Sequence, residues 1–324
     1  MGKFMPLHKG HEALIAFALQ QCEELVVMLC VSDKEPIGGE LRKHWLDTTY
    51  RHNERVKVSL VNYDETVLPN SSVSSREISA LWADYIRDHY PGIAVFISSE
   101  PYGEYVAEYL GIRHSSFDQE RKVVPVSASA ILGNPFQHWT YIAEAARPYF
   151  VKKICISGSE STGKSTLTEK LGQYFETAFV PEMAREVIET TEEVVFDDLL
   201  KIATLHAATI NERLPLANKL LICDTDVNIT KSYAQYLFHQ PLLVPAWIDA
   251  ANQFDLHLFL DTDCPYVQDG TRLSEAERNV LSGYHERQLQ EMGIAYITIS
   301  GSWEQRFERA KEVIRETFFK EHSM

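Results

Sequence analysis

Eight consecutive residues in the second half of the chain have the types and spacing of a phosphate-binding loop. Residues 158–165 read Gly-Ser-Glu-Ser-Thr-Gly-Lys-Ser and fit the pattern G-x-x-x-x-G-K-[ST], with a strand-like run before them and a helical run after them. In such a loop the backbone N–H groups and the helix N-terminus face phosphate oxygens. Lys164 is predicted to reach the β- and γ-phosphates of ATP, and the Ser165 hydroxyl to ligate Mg²⁺. The predicted ATP-binding residues here are Gly158, Ser159, Glu160, Ser161, Thr162, Gly163, Lys164, Ser165 and Thr166.

A pair of carboxylates follows a later apolar run. Residues 220–226 read Leu-Leu-Ile-Cys-Asp-Thr-Asp, which places Asp224 at the tip of a predicted strand. A carboxylate there binds Mg²⁺ directly or through water in phosphoryl-transfer enzymes, so Asp224 is a candidate metal ligand and catalytic residue. The alternative is that the pair only caps the next helix, over residues 228–237. We expect both roles: Asp224 on the metal and Asp226 as the cap.

Three further charged residues are candidates for the acceptor side of the reaction. Glu182 follows a short apolar stretch, and a carboxylate there could orient or deprotonate an attacking hydroxyl, whereas the alternative is an acidic residue at a helix start. Arg185 could hold substrate or phosphate. Arg272 ends the segment Gln-Asp-Gly-Thr-Arg at residues 268–272, which is typical of a lid that closes on the transferring phosphoryl group. A polar surface loop is the alternative for that segment.

A second motif lies near the N-terminus. Residues 8–11 read His-Lys-Gly-His and precede an amphipathic pattern at residues 12–21. This places His8 and His11 at a helix N-terminus, where they would bind phosphate oxygens and stabilise charge during adenylyl transfer, with Gly10 allowing close approach of a nucleotide phosphate. A zinc site is the alternative, but no third ligand of suitable spacing accompanies the pair. Two surface histidines without a function are the other alternative.

Strand and helix patterns alternate twice along the 324 residues. We predict an α/β protein with two doubly wound parallel-sheet domains, residues 1–148 and 149–324, because alternating elements favour parallel sheets with right-handed crossovers. The predicted strands are residues 25–32, 56–61, 95–99, 153–157, 220–223, 256–260 and 295–300. Residues 74–90 and 303–319 are predicted helices.

Charge and composition limit the function classes. A formal net charge of −15 opposes non-specific binding to nucleic acid, so small molecules are the expected partners. No apolar run approaches the roughly 20 residues that span a bilayer, and no secretory signal is visible. The five cysteines are scattered without a C-x-x-C pair, which is typical of free thiols in a cytoplasmic protein.

The order of these motifs resembles the NadR family, bifunctional nicotinamide-nucleotide adenylyltransferase/ribosylnicotinamide kinases. The strings that carry the resemblance are residues 2–4 (Gly-Lys-Phe), 8–11, 97–101 (Ile-Ser-Ser-Glu-Pro), 126–129 (Val-Ser-Ala-Ser), 134–136 (Asn-Pro-Phe), 158–165, 185–186 (Arg-Glu), 224–226 and 269–272. The resemblance implies an N-terminal Rossmann-like nucleotidyltransferase domain and a C-terminal P-loop kinase domain. It implies that nicotinamide riboside plus ATP gives NMN, and that NMN plus ATP gives NAD and pyrophosphate. Ser127 and Ser129 would then bind ATP, and Arg185, Asp226 and Trp82 would contact substrate, Trp82 by stacking on nicotinamide unless it is a core residue.

Two departures bear on adenylyl transfer. The family's second signature reads Ser-x-Thr-x-x-Arg, whereas Leu132 stands where its phosphate-binding arginine would be. The family also has an apolar first strand before Gly-Lys-Phe, and this sequence has only Met1 there. We therefore expect impaired adenylyl transfer. The alternative is that Arg121 or Lys122 replaces the missing cation and that the first strand is absent only because the start of the sequence was assigned too late.

The sequence also bears on a repressor role, on competing functions and on the oligomeric state. No residues correspond to the N-terminal helix-turn-helix of some family members, so a repressor role is not expected. Competing interpretations are a kinase for another nucleoside fused to a different nucleotidyltransferase, and a nucleotide sensor. A homo-oligomer remains compatible with all of them.

Overall fold

Strands and helices alternate through the part of the chain that the structure, a computed structural model, describes: residues 1–69, 74–188, 194–268 and 272–319. The chain divides into two units, Met1–Tyr149 and Phe150–Met324. The elements of the first unit are α1 (Lys9–Leu19), β1 (Leu25–Val31), α2 (Gly39–Tyr50), β2 (Val56–Asn62), α3 (Arg76–His89), β3 (Val95–Ser98), α4 (Tyr102–Leu110), β4 (Arg113–Ser116) and α5 (Ala128–Gly133).

The second unit continues the alternation. Its elements are β5 (Lys152–Gly158), α6 (Lys164–Tyr174), β6 (Phe179–Val180), α7 (Phe196–Arg213), β7 (Leu220–Asp224), α8 (Val227–Phe238), α9 (Ala246–Ala251), β8 (Leu256–Leu260), α10 (Glu275–Glu291), β9 (Ile297–Ile299) and α11 (Trp303–Phe318). Among the described residues, no helix is long and apolar enough to span a membrane.

The second unit is built on one five-stranded parallel sheet in the order β6-β7-β5-β8-β9. Strands β5 and β7 consist mainly of apolar residues because helices cover both faces of the sheet there. Every residue of β7 is buried, and so are the last five residues of β5. Parallel strands place their carboxyl ends at one edge, and the strand order reverses on either side of β5. The loops that follow β5, β7 and β8 therefore meet at this edge.

Side-chain caps fix where the helices of that unit begin. The Ser274 hydroxyl accepts a hydrogen bond from the Glu277 N–H, and the Glu277 carboxylate accepts one from the Ser274 N–H at 2.9 Å. Ser302 and Gln305 form the same reciprocal arrangement at the start of α11. These capping boxes are local sequence signals, and α11 begins at Trp303, the first residue of its predicted range.

The first unit departs from a single doubly wound sheet. β1 pairs with β2 from Leu25↔Val56 to Val31↔Asn62, and β3 pairs with β4, but β1 and β3 are not joined within the described residues. The class is α/β with parallel sheets, as predicted, yet this unit has two two-stranded sheets. Among the described residues, the other edge of β1 is met only by Gly2, whose N–H donates to the Met28 carbonyl oxygen at 3.0 Å and whose carbonyl accepts from the Cys30 N–H at 3.0 Å.

A cavity of about 1220 Å³ lies where a strand between β1 and β3 would run. Both strands line it, together with Met1 and Trp82. The pKa of the Met1 amine is lowered, chiefly because the group is desolvated. Among the described residues, no strand pairs with the edge of β3 that faces this cavity, and the facing edge of β1 has only the backbone bridge to Gly2.

Candidate active site

The residues of the phosphate-binding loop follow β5 directly and turn sharply into α6. Three positive φ angles produce the turn: +138° at Gly158, +58° at Ser161 and +85° at Gly163. A Cβ at Gly158 would lie 2.7 Å from the Leu260 carbonyl oxygen, so this position requires glycine. Lys164 is the first residue of α6 and is only 9% exposed, with its Nζ donating to the Ser159 carbonyl oxygen at 3.0 Å. Its amine thus lies within the curve of its own loop, where phosphate would bind.

Hydrogen bonds within the loop and to residues of two distant helices hold this loop in place. The Ser159 hydroxyl donates to the Arg278 carbonyl oxygen at 2.9 Å, and the Thr162 hydroxyl donates to the Ser159 carbonyl oxygen at 2.7 Å. Arg306 donates from Nη1 to the Thr162 carbonyl oxygen at 3.2 Å. The loop is therefore preorganised rather than shaped by its ligand.

Asp224 ends β7 and its carboxyl group is fully buried. The pKa of Asp224 is raised to about 7 because the carboxyl is desolvated and lies near Glu182, while Lys164, Ser165 and Arg185 oppose the rise. Neither carboxylate oxygen has a hydrogen-bond partner of good geometry among the described residues. A buried carboxylate beside a serine hydroxyl is a donor set that suits Mg²⁺, which prefers oxygen ligands.

Asp226 is the N-cap of α8, as predicted. Its Oδ1 accepts from the Ile229 N–H at 3.0 Å and its Oδ2 accepts from the Asn228 side-chain amide at 2.8 Å. His257 lies 3.9 Å from the same carboxylate, with its pKa lowered chiefly by burial. Because Asp226 already has partners, Asp224 is the better candidate to ligate a metal ion.

Two charged residues in the segment that follows β6, Glu182 and Arg185, lie at the same edge of the sheet. Glu182 is half-buried and close enough to Asp224 to raise its pKa, and Arg185 is exposed and close enough to lower it. Lys164, Ser165, Glu182 and Arg185 thus all act on the Asp224 carboxyl, although they come from two separate segments of the chain. Their roles toward an acceptor remain predictions.

Arg272 lies in a segment that the phosphate-binding loop anchors at both ends. The Val267 N–H donates to the Ser161 hydroxyl at 2.8 Å, and the Leu273 N–H donates to Glu160 Oε2 at 2.9 Å. Arg272 donates from Nη1 to the Val267 carbonyl oxygen at 2.5 Å. The rest of the predicted lid, residues 269–271, lies outside the described residues. Arg272 is therefore held beside the phosphate-binding loop.

Arg272→Ala is expected to lower kcat for phosphoryl transfer about ten- to a hundredfold and to change the KM of the acceptor less, because a lid arginine acts mainly on transition-state charge. Steady-state kinetics check this result. The control is Arg309→Ala, which removes an exposed arginine that pairs with Glu312 on α11. An unchanged kcat would assign residues 268–272 to an ordinary surface loop.

His8 and His11 lie together at the N-terminus of α1. Their ring centroids are 3.8 Å apart, and His8 is the N-cap, with Nδ1 accepting from the Gly10 N–H at 3.1 Å. Desolvation and Arg121 lower the pKa of His8 to about 4, and desolvation lowers the pKa of His11 well below its usual value. Both rings are therefore neutral at pH 7, and the Nδ1 contact leaves the His8 proton on Nε2.

Gly10 serves a purpose that the sequence did not indicate. A Cβ at this position would lie 2.8 Å from His8 Cε1 and 3.0 Å from His8 Nδ1. The glycine therefore makes room for the His8 ring, in addition to any phosphate that binds there.

Residues 127–132, which stand where the family has its second signature, form the cap and most of α5. The Ser127 hydroxyl caps the helix by accepting from the Ala130 N–H at 3.1 Å, and Leu132 is 39% exposed. Ser129 lines the same cavity as His11 and Arg121. Arg121 is thus a cation near the histidines, whereas position 132 offers none.

Trp82 is a core residue in this structure. It is 5% exposed, its Nε1 donates to the Pro69 carbonyl oxygen at 3.3 Å, and Tyr63 and Tyr85 contact it edge-on at centroid distances of 5.3 and 6.0 Å. This placement favours packing over the predicted stacking on nicotinamide.

The unmodified chain is expected to form NAD from NMN more slowly than it phosphorylates riboside. Leu132→Arg should raise NAD formation about ten- to a hundredfold, the effect of one charge-assisted contact, and a chain extended by an apolar strand before Met1 should gain further.

Leu81→Arg, at a leucine of α3 that is 43% exposed, is the control. Equal rates of the two reactions in the unmodified chain would contradict this expectation, and loss of the residual rate in Arg121→Ala would assign the cation's role to Arg121.

Several residues that shape the site carry no motif. Arg278 and Arg306 are almost fully buried, and Tyr233 donates from its hydroxyl to Glu160 Oε1 at 3.1 Å. Each lies in an otherwise ordinary helical pattern, so only its partner in the fold distinguishes it. The available sequence signal was the pair of capping boxes, which mark the starts of α10 and α11 and therefore place Arg278 and Arg306 in the first turns of these helices.

Known proteins resemble this chain over nearly its whole length. Residues 153–306 match the family described as AAA domain. The trifunctional NAD biosynthesis/regulator protein NadR of Salmonella typhimurium is 30% identical over 343 residues, covering 97% of this chain and 82% of that protein. A nicotinamide-nucleotide adenylyltransferase of Ignicoccus hospitalis is 22% identical over 169 residues, covering 48% of this chain and 90% of that protein.

The fold is shared with a solved structure. A crystal structure of NadR protein in complex with NR superposes with a TM-score of 0.78 at 23% identity, covering 100% of this chain and 96% of that chain. Identity and coverage at the level of the Salmonella protein show the family, and the chain therefore belongs to the NadR family of NAD biosynthesis proteins.

Proposed function

We propose that the second unit transfers the γ-phosphoryl group of ATP to nicotinamide riboside, giving NMN. We further propose that the first unit transfers an adenylyl group from ATP to NMN at a lower rate, giving NAD and pyrophosphate. The first proposal is carried by the buried carboxyl of Asp224 at the end of β7, which lies close enough to Lys164, Ser165 and Glu182 for them to shift its pKa, together with the amine of Lys164 inside the phosphate-binding loop. The second proposal is supported by the adjacent neutral rings of His8 and His11 at the N-terminus of α1.

In the kinase reaction the loop binds the phosphates through backbone N–H groups, and Lys164 neutralises charge that develops on the β- and γ-phosphoryl oxygens. Ser165 and Asp224 would hold Mg²⁺, which supplies charge neutralisation and orientation of the phosphates when bound. Glu182 accepts the proton of the riboside 5′-hydroxyl as that oxygen attacks the γ-phosphorus, and the bond from that phosphorus to the bridging oxygen breaks to release ADP. Arg185 binds the acceptor, and Arg272 closes on the transferring group. Asp226 is buried with both oxygens hydrogen-bonded, so it holds the start of α8 in place of the predicted contact with the acceptor.

In the adenylyl reaction the NMN phosphate oxygen attacks the α-phosphorus of ATP and pyrophosphate leaves. His8 donates from Nε2–H, and His11 adds a second imidazole at the positive end of α1. Ser127 and Ser129 bind the nucleotide beside them. Leu132 contributes no charge to pyrophosphate departure, which is the reason for the lower rate.

The partners on this account are small molecules: ATP, nicotinamide riboside and NMN. A net charge of −15 disfavours nucleic acid, and five free cysteines suit the cytoplasm.

A turnover experiment tests the proposal. The chain is incubated with ATP, Mg²⁺ and a panel of ribosides, and the products are resolved by chromatography. Formation of NMN from nicotinamide riboside, with slower product formation from adenosine, uridine and cytidine, is the expected result. Preference for another riboside would favour a different nucleoside kinase, and binding without turnover would favour a nucleotide sensor.

A further inference from the structure

Trp303 contacts the phosphate-binding loop from a distant part of the chain. It is the first residue of α11 and follows the turn after β9. A Cβ built on Gly163 would lie 2.4 Å from Trp303 Cζ3, so the edge of the indole rests on the glycine that precedes Lys164. The indole is therefore at the N-terminus of α6, beside the site proposed for the phosphates.

The indole is held in a fixed position. The Arg306 guanidinium lies over its ring, 5.6 Å from the centroid. Arg306 itself donates to the carbonyl oxygens of Gly301 at 2.8 Å and Thr162 at 3.2 Å, and it forms an ion pair with Asp263. The Asp263 carboxylate also accepts from the Gly301 N–H at 2.7 Å. These contacts tie the turn before Trp303 to the phosphate-binding loop.

Trp303 is nevertheless 49% exposed. Arg306 covers one face and Gly163 meets one edge, so a flat apolar surface beside the loop remains open. A nucleotide whose phosphates bind at residues 158–165 must place its base beyond the α-phosphate, within reach of the surface around the α6 N-terminus. An aromatic ring is suited to that base, since every base has a face that stacks.

We propose that Trp303 stacks on the purine ring of ATP bound at the phosphate-binding loop. Trp303 is thereby the binding residue for the base in the kinase reaction, and the inference rests on the proposed function. Arg306 is a positioning residue that fixes the indole. Stacking tolerates different bases, so Trp303 contributes affinity for ATP and GTP alike.

Calorimetric titration of the full chain with Mg²⁺ and three ligands tests this inference. Trp303→Ala is expected to raise the Kd of ATP and of GTP about tenfold to a hundredfold, because one base–aromatic stack is lost. The Kd of inorganic tripolyphosphate, which has no base, should stay unchanged. Trp303→Phe should keep most of the affinity for ATP, since a smaller aromatic face remains.

A matched variant controls for loosening of α11. Tyr174 on α6 is 42% exposed and contacts Phe307 of α11 edge-on at 5.9 Å, so Tyr174→Ala weakens the same helix pair without removing the proposed surface. Its Kd values should match those of the wild type. An unchanged Kd of ATP in Trp303→Ala, or an equal rise for ATP and tripolyphosphate, would overturn the inference while leaving the kinase proposal intact. A wild type that binds neither ATP nor tripolyphosphate would overturn the proposed function and this inference with it.

Discussion

Lys164→Ala is expected to lower the kcat of riboside phosphorylation by about a thousandfold or more. The lysine amine neutralises charge on the transferring phosphoryl group, and removing a contact made in the transition state costs several kcal/mol. Folding should survive, because among the described residues Nζ donates one hydrogen bond, to the Ser159 carbonyl oxygen. One such bond contributes about 1 kcal/mol to the free energy of unfolding. Steady-state kinetics and thermal unfolding together check the expectation.

Lys170→Ala is the matched control, since Lys170 is an exposed lysine on the same helix. Its kcat should equal that of the wild type. A folded Lys164→Ala protein with wild-type turnover would remove the kinase assignment.

Asp224→Asn is expected to lower kcat about a hundredfold or more and to weaken the dependence of the rate on Mg²⁺, with ATP binding less affected. The carboxylate would position the metal rather than the adenine, and the amide offers only a neutral oxygen. The paired variant is Asp226→Asn, whose residue caps α8 through the Ile229 N–H. If Asp226→Asn lost the metal dependence and Asp224→Asn kept its kcat, the two roles would have to be exchanged.

Asp224→Asn should also change how the free energy of unfolding depends on pH. The pKa of Asp224 is raised from 3.8 to about 7 in the folded state, so the folded protein holds a proton that the unfolded chain has released. Wild-type stability therefore falls as pH rises between about 4 and 7, and Asp224→Asn lacks this loss. In the absence of metal, the Tm of Asp224→Asn relative to the wild type should be higher at pH 8 than at pH 5.

Local patterns predicted those parts of the site that depend on neighbouring residues. The phosphate-binding loop, the cap at Asp226 and the paired histidines each occupy a short stretch of sequence, and each lies on the element that its pattern indicated. The apolar runs that became β5, β7 and β8 are equally local, because strands covered on both faces must be apolar along their length.

Features that depend on distant contacts could not be predicted in this way. Arg306 donates to a carbonyl oxygen 144 residues earlier in the chain, and nothing in the pattern of α11 distinguishes it from the exposed Arg309. The role of Gly10 in making room for the His8 ring depends on a side-chain direction. Trp82 lies on the apolar stripe of α3, and its burial, its hydrogen bond to the Pro69 carbonyl oxygen and its tyrosine neighbours favour a core position.

Transfer of label from γ-³²P-ATP tests the central claim most directly. Wild-type chain and Lys164→Ala are each incubated with labelled ATP, Mg²⁺ and nicotinamide riboside, and the nucleotides are separated. Label in the NMN formed by the wild type, and none in the Lys164→Ala reaction, is the predicted result. Unlabelled riboside alongside bound, intact ATP in the wild-type reaction would contradict the claim that this chain is a riboside kinase.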